Sequence, residues 1–178
     1  LTRNLAERFN QRFGQTLSVP EVAIMESAAK IYDLQNPSSK MSKSGESPQG
    51  ILWLLDEPSV LSKKIKSSVT DTETEVRFDP LNKPGVSNLL SLLALATSRT
   101  MHDVVTEFSA GGYGDLKTAV AEAVVEALTP IRERTHELLK DPAELDRILA
   151  SGAAKARIRA EATLERVHES LGLLPAGR

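Results

Sequence analysis

Lys83-Pro84-Gly85-Val86-Ser87-Asn88-Leu89-Leu90, running on through Ser91-Leu92-Leu93-Ala94-Leu95-Ala96-Thr97, is the stretch at which the chain changes character. Leu89, Leu90, Leu92, Leu93 and Leu95 place apolar groups on most sides of a helix, the pattern of a buried one. Ser87 is the expected cap, because its hydroxyl can accept from an orphan amide of the first turn. Before this stretch the sequence is broken by Pro20, Pro37 and Pro48, and Thr70 to Gly85 is polar and without period. After it, apolar residues recur at helical spacing almost to the end. The boundary between an irregular part and a helical part therefore falls between Asp71 and Ser87.

Outward on the helical side, a short helix is expected around Asp103 to Phe108, then a turn at Gly111-Gly112-Tyr113-Gly114. Leu116, Val120, Ala123, Val124, Ala127 and Ile131 form one apolar face of a long helix. Pro130 lies inside it and should kink it, having no N–H for the carbonyl of Glu126. Pro142 opens a short helix through Leu149, and Gly152 separates that from a last helix ending near Leu171. On the irregular side, Leu1, Leu5, Phe9 and Phe13 mark an amphipathic helix stopped by a left-handed Gly14. Its period is already running at Leu1, so a fragment of a longer protein is expected. Ile51 to Leu55 reads as a buried strand or a helical turn, the short strand being favoured, with Trp53 in the core. Asp56-Glu57-Pro58 starts a helix through about Ser67.

The bulk properties exclude several function classes. The 178 residues are 40 % apolar and 26 % charged, enough for a real core, with a formal net charge of -2. A chain of that charge can bind nucleic acid only through a local patch. There is no cysteine, which removes disulfides, thiolate metal sites and a cysteine nucleophile. His102, His136 and His168 have no ligand spacing for zinc. No run reaches the roughly 18 apolar residues that span a bilayer, and the composition fits a cytoplasmic protein. Asp56, Glu57 and Asp71 read as helix-start and turn residues rather than an acid/base pair. The glycines at 111, 112 and 114 lack the lysine and hydroxyl of a phosphate loop.

The chemistry concentrates in Lys40-Met41-Ser42-Lys43-Ser44, followed by Gly45. Two ammonium groups, two hydroxyls and a glycine in a polar loop make a device for gripping phosphate. Composition alone would read such a stretch as solvated surface, but five specified residues in order carry far more information than that. The string resembles the second signature of class I aminoacyl-tRNA synthetases. Ile31 with Leu34-Gln35-Asn36-Pro37, then Lys63-Lys64-Ile65-Lys66, Val69-Thr70-Asp71, Lys83 to Leu90, and Gly112-Tyr113-Gly114 with Leu116-Lys117, are similar to blocks of the bacterial tryptophan enzymes in the same order. The tyrosine enzyme shares the loop but not these blocks.

The resemblance implies an α/β remnant, part of a Rossmann-like nucleotide-binding domain, followed by a mainly α-helical bundle, predominantly α overall. It implies the end of the catalytic domain over residues 1–75 and an anticodon-binding domain over 76–178. Lys40, Met41, Ser42, Lys43 and Ser44 would bind ATP, with Lys43 on the pyrophosphate group, Lys40 beside it, and the Ile31 backbone on the adenine. ATP, Mg²⁺ on its phosphates, L-tryptophan and tRNA(Trp) would be the ligands, and the family is homodimeric. The family's amino-terminal His-containing signature and tryptophan pocket are not in this sequence, so the chain alone is expected to be inactive. The alternatives are a module that only binds RNA or supports a dimer, or another class I enzyme such as that for tyrosine. Lys63, Lys64 and Lys66, and a stripe of Lys155, Arg159 and Arg166, are the candidate basic patches, each equally readable as a solvated helix face.

Overall fold

The computed structural model describes residues 1–23, 30–45 and 47–174. Among them are six α-helices, one single-turn 3-10 helix at Pro48–Gly50 and no strand: α1 Thr2–Phe13, α2 Pro58–Lys66, α3 Pro84–Thr97, α4 Met101–Phe108, α5 Tyr113–Lys140 and α6 Pro142–Leu171. The chain packs as two compact units, one of Leu1–Ala23 with Leu138–Arg178, the other of Ile24–Glu137.

The second unit is built on α3. Nine of its fourteen residues are buried, including Leu89, Leu90, Leu92 and Leu93, and they pack with Leu34, Ile65, Val76, Val104, Leu116 and Val120 in one cluster. Each such aliphatic side chain contributes roughly 1.5–3 kcal/mol when fully buried. The helix begins earlier than the leucine pattern suggests. Pro84 occupies its first turn and Lys83 its N-cap position, as a ring with fixed φ and no N–H permits. Ser87 is thus inside the helix, not its cap, and its Oγ accepts from the Asp79 amide at 2.9 Å. Gly85 is buried against the preceding segment, where an added β-carbon would overlap the Val69 carbonyl.

Lys83 is only 1 % exposed. Its ammonium meets Asp71 Oδ1 at 3.0 Å, Glu73 Oε2 at 2.7 Å and the Tyr113 hydroxyl at 2.8 Å, and Tyr113 in turn donates to Asp71 at 2.6 Å. Burial works against the charged lysine, but these three partners outweigh it and raise its pKa. Burial likewise works to raise the Asp71 pKa, yet hydrogen bonds from Tyr113, Lys83 and the Glu73 amide hold the carboxyl below its ordinary value. The cluster ties the irregular stretch after α2 to the starts of α3 and α5. Lys117 adds a fourth tie, donating to the Ser68 carbonyl at 2.9 Å.

Several expectations are corrected. Ile51 to Leu55 forms no strand. Ile51 is buried, but Asp56 N–H donates to the Trp53 carbonyl at 3.1 Å, closing a turn, and Trp53 is 40 % exposed rather than core. The reason is Lys64, a buried side chain that reaches from α2 to the Ile51 carbonyl (2.8 Å) and Asp56 (2.6 Å), so the segment wraps the end of a lysine. Tyr113 and Gly114 begin α5 instead of lying in a turn, while the expected long helix with Pro130 inside it is present. Gly14 has φ 87° and ψ 164°, outside the left-handed helical well. Asn10 instead organises that end, accepting from the Thr16 and Leu17 amides and donating to the Leu17 carbonyl.

In the first unit Gly152 does not interrupt α6, which is continuous over thirty residues with none buried. Glycine in a helix costs about 1 kcal/mol, too little to break a helix of this length. The helix is capped by the Asp141 side chain, which accepts from Glu144 N at 3.0 Å, and closed by a left-handed Gly172. No helix among the described residues is long and apolar enough to cross a membrane.

Two outcomes follow from the Lys83 region. Gly85→Ala should lower stability by about 1–3 kcal/mol, as overpacking against backbone does; urea unfolding at a value equal to the parent's would contradict the close approach. Asp71 has a folded pKa below its unfolded one, so its contribution is present above the ordinary carboxylate value and lost as pH falls through the folded value. Stability measured between about pH 5 and pH 2 should therefore fall less steeply in Asp71→Asn than in the parent.

Candidate functional site: the lysine loop and its anchors

The loop is held by main-chain bonds at its entry. Met41 N–H donates to the Ile31 carbonyl at 3.0 Å and Asp33 N–H to the Ser39 carbonyl at 2.9 Å, which makes Tyr32 and Lys40 an isolated antiparallel bridge. Between them the chain turns at Asn36 to Ser39, with Ser39 N–H on the Asn36 carbonyl at 2.9 Å. A two-residue contact of this kind fixes register without needing a sheet.

This stem is clipped to α3 by one side chain. Asn88, 3 % exposed, accepts from the Tyr32 amide at 2.9 Å and donates to the Tyr32 carbonyl at 2.8 Å. An asparagine buried in a leucine-rich helix would be costly if unpaired; here its amide copies the edge of a strand. Two residues along, Leu34 is tied by backbone. Leu34 N–H donates to the Gly50 carbonyl at 3.0 Å, and the Leu34 carbonyl accepts from Val69 N–H at 2.8 Å. Val69 lies directly before the Asp71–Lys83–Tyr113 cluster, so the loop stem rests on the segment which that cluster secures.

The five signature residues then divide by role. Met41 is half-buried and packs against the core cluster, as does Ile31. Lys40, Ser42, Lys43 and Ser44 are exposed. Ser42 and Ser44 place their hydroxyl oxygens 3.1 Å apart, and the Ser42 carbonyl accepts from Gly45 N–H at 2.9 Å, a tight turn that puts Lys43 at its tip. Neither Lys40 nor Lys43 forms an ion pair among the described residues. Two free ammonium groups, two adjacent hydroxyls and a turn of backbone form a surface for a polyanion.

The basic cluster on α2 is not what the spacing suggests. Lys63 and Lys66 are exposed, but Lys64 is buried and spent on Asp56. Lys155, Arg159 and Arg166 are all exposed on α6. A cleft of about 810 Å³ opens beside the stem, between Tyr32, Phe78, Pro84 and Met101, and none of Lys40 to Ser44 lines it. Sequence reasoning passed over Asn88, Asp33 and Lys83. For Asn88 the available signal was a polar residue directly before a run of leucines, which must find partners if buried; Asp33 and Lys83 carry no such signal.

Comparison with known proteins gives a consistent outcome. The model of the family described as tRNA synthetases class I (W and Y) matches residues 1–129. The tryptophan–tRNA ligase of Leifsonia xyli is 54 % identical over 178 residues, all of this chain and 53 % of that protein. A second relative, tryptophan–tRNA ligase 2 of Streptomyces avermitilis, is 51 % identical over 99 % of this chain and 52 % of its own length. Among solved structures, tryptophanyl-tRNA synthetase from Mycoplasma pneumoniae is similar with a TM-score of 0.87 at 29 % identity, covering 97 % of this chain and 52 % of that one. The Campylobacter jejuni enzyme, complexed with ADP and tryptophan, is similar with a TM-score of 0.59 at 29 % identity, covering 96 % of this chain and 52 % of that one. The chain spans about half the length of the curated relatives it matches. With its predominantly helical fold and a family model matching residues 1–129, it belongs to the class I tRNA synthetase family of the tryptophan and tyrosine enzymes, and within that family it is similar to bacterial tryptophan–tRNA ligases.

Proposed function

We propose that this chain is the ATP-handling and tRNA-binding part of a tryptophan–tRNA ligase, and that Lys40 to Ser44 grip the phosphates of ATP during tryptophan activation. The observation that carries this reading is the loop itself, pinned at its stem and open at its tip, with both lysines free of ion pairs among the described residues. In the reaction a tryptophan carboxylate oxygen attacks the α-phosphorus, the bond to the bridging oxygen breaks, and pyrophosphate leaves with the electron pair. Charge on the leaving group grows in the transition state. An ammonium at Lys43 that meets it there lowers the barrier more than it tightens ATP. Lys40 neutralises charge beside it, Ser42 and Ser44 donate hydrogen bonds, and the Ile31 backbone holds the adenine.

The donor set here fits phosphate rather than a metal. Among the described residues no group of three His, Asp or Glu side chains could hold an ion, and the loop offers cations and hydroxyls. Mg²⁺ would arrive on the phosphates, where it neutralises charge; the residues of this chain position the anion around it. In this reading residues 1–75 close a Rossmann-like catalytic domain, and residues 76–178 form a helical bundle that contacts the anticodon region of tRNA(Trp), the exposed cations of α6 being its candidates. The tryptophan pocket lies mostly in the amino-terminal half of the enzyme, a cytoplasmic homodimer, so this chain alone makes no adenylate.

In the whole enzyme Lys43→Ala should cost on the order of 3 kcal/mol in activation, with a smaller effect on ATP binding. Tryptophan-dependent ATP–pyrophosphate exchange measures both; a near-normal kcat would remove Lys43 from the mechanism.

A further inference from the structure

We propose that Asp33 is a positioning residue for the lysine loop, its buried carboxylate clamping the entry and the exit of the segment that carries Lys40 to Ser44. Its consequence for ATP rests on the phosphate reading above; the clamp itself does not.

Asp33 is 7 % exposed. Its Oδ1 accepts from the Gln35 amide at 2.8 Å and the Asn36 amide at 3.0 Å, while its own N–H donates to the Ser39 carbonyl at 2.9 Å. Those three bonds shape the turn that leads into Lys40. On the exit side the same carboxylate lies against Gly50 and near Gly45. A β-carbon on Gly50 would overlap the Asp33 carboxyl, and one on Gly45 would stand 3.6 Å from Oδ2. Gly45 directly follows the signature, and Gly50 ends the 3-10 turn whose carbonyl takes the Leu34 amide at 3.0 Å. A single side chain thus touches the chain on both sides of the lysines.

The chemistry favours a carboxylate there. Two converging N–H groups form a small anion-binding nest, and charge-assisted bonds to it are about twice as strong as neutral ones. Among the described residues Asp33 has no ion-pair partner, so its charge is balanced by backbone dipoles. Gly50 lets the backbone come close enough to be held, and its lack of a side chain is needed for contact with Asp33, not for a positive φ. The expected result of losing the clamp is a loop that keeps its residues and loses its resting shape, while the helical core, which Asp33 does not enter, stays folded.

Trypsin cleavage after Lys40 and Lys43 reads that shape in this chain. Asp33→Ala should accelerate both cuts about tenfold relative to the parent, the loss of two charge-assisted bonds being ample for that. Asp33→Asn, which keeps an acceptor at Oδ1 but loses the charge assistance, should accelerate them about threefold. Val120→Ala, a core change on α5, is the control for general destabilisation, with the melting temperatures of both variants measured, and should leave the loop cuts unchanged. Equal cutting in Asp33→Ala and in that control would overturn the proposal. Should Asp33→Ala fail to fold, hydrogen exchange of the Gln35 and Asn36 amides in the parent decides. Protection comparable to that of α2 supports the clamp, and loop-like exchange overturns it. Protection of the parent loop by ATP–Mg²⁺ is scored separately. That protection is read in the whole enzyme, and if it is absent there while the Asp33 effect is present, the phosphate reading fails and the clamp stands.

Discussion

A lysine ammonium taken out of water must be fully partnered, and the second unit is arranged around that requirement at Lys83. An unpaired buried charge costs several kcal/mol, whereas one ringed by carboxylates and a hydroxyl is tolerated. Asp71, Glu73 and Tyr113 come from a loop and from a helix start distant in sequence, so satisfying Lys83 draws those pieces together. The close seat of Gly85 on the Val69 carbonyl is possible only because no side chain intervenes. The aliphatic cluster supplies most of the stabilisation, but it is nondirectional. The buried polar group is what selects one register for the segment between α2 and α3.

The site inherits that register by a short chain of contacts. Val69 holds Leu34, Asn88 holds Tyr32, and the stem then presents four exposed residues of the signature at its tip. On the proposed reading, an arrangement held at the base and open at the end suits a group that would follow phosphates as bonds break. Rigid placement of both lysines would bind ATP and transition state alike and accelerate little. A loop without anchors would lose the orientation on which phosphoryl chemistry depends.

The helices were legible in the sequence where period and punctuation agreed. Pro58 and the acids before it located α2, and the leucines located α3. The failures share a cause, which is that tertiary partners outrank local signals. Ser87 looks like a cap, but Lys83 and Pro84 start the helix earlier and the hydroxyl serves Asp79. Ile51 to Leu55 looks like a strand, but no partner strand is present among the described residues and Lys64 folds the segment into a turn. Gly152 looks like a break, but the cost of one glycine is spread over thirty residues. The lysine loop was readable because its chemistry lies in one contiguous string. Asn88 and Asp33 were not, because their importance comes from what they touch fifty-six residues away or across a loop.

The central claim is that this chain supplies the ATP-handling half of a tryptophan–tRNA ligase, and it can be tested by exchange of parts. Residues 1–178 would replace the matching portion of the Leifsonia xyli tryptophan–tRNA ligase, of which they align with 53 %, and tryptophan-dependent ATP–pyrophosphate exchange would be measured. The account predicts exchange within about tenfold of the unaltered enzyme, since the anchors of the loop travel with it. A chimaera that folds and binds tryptophan but exchanges no pyrophosphate would contradict it.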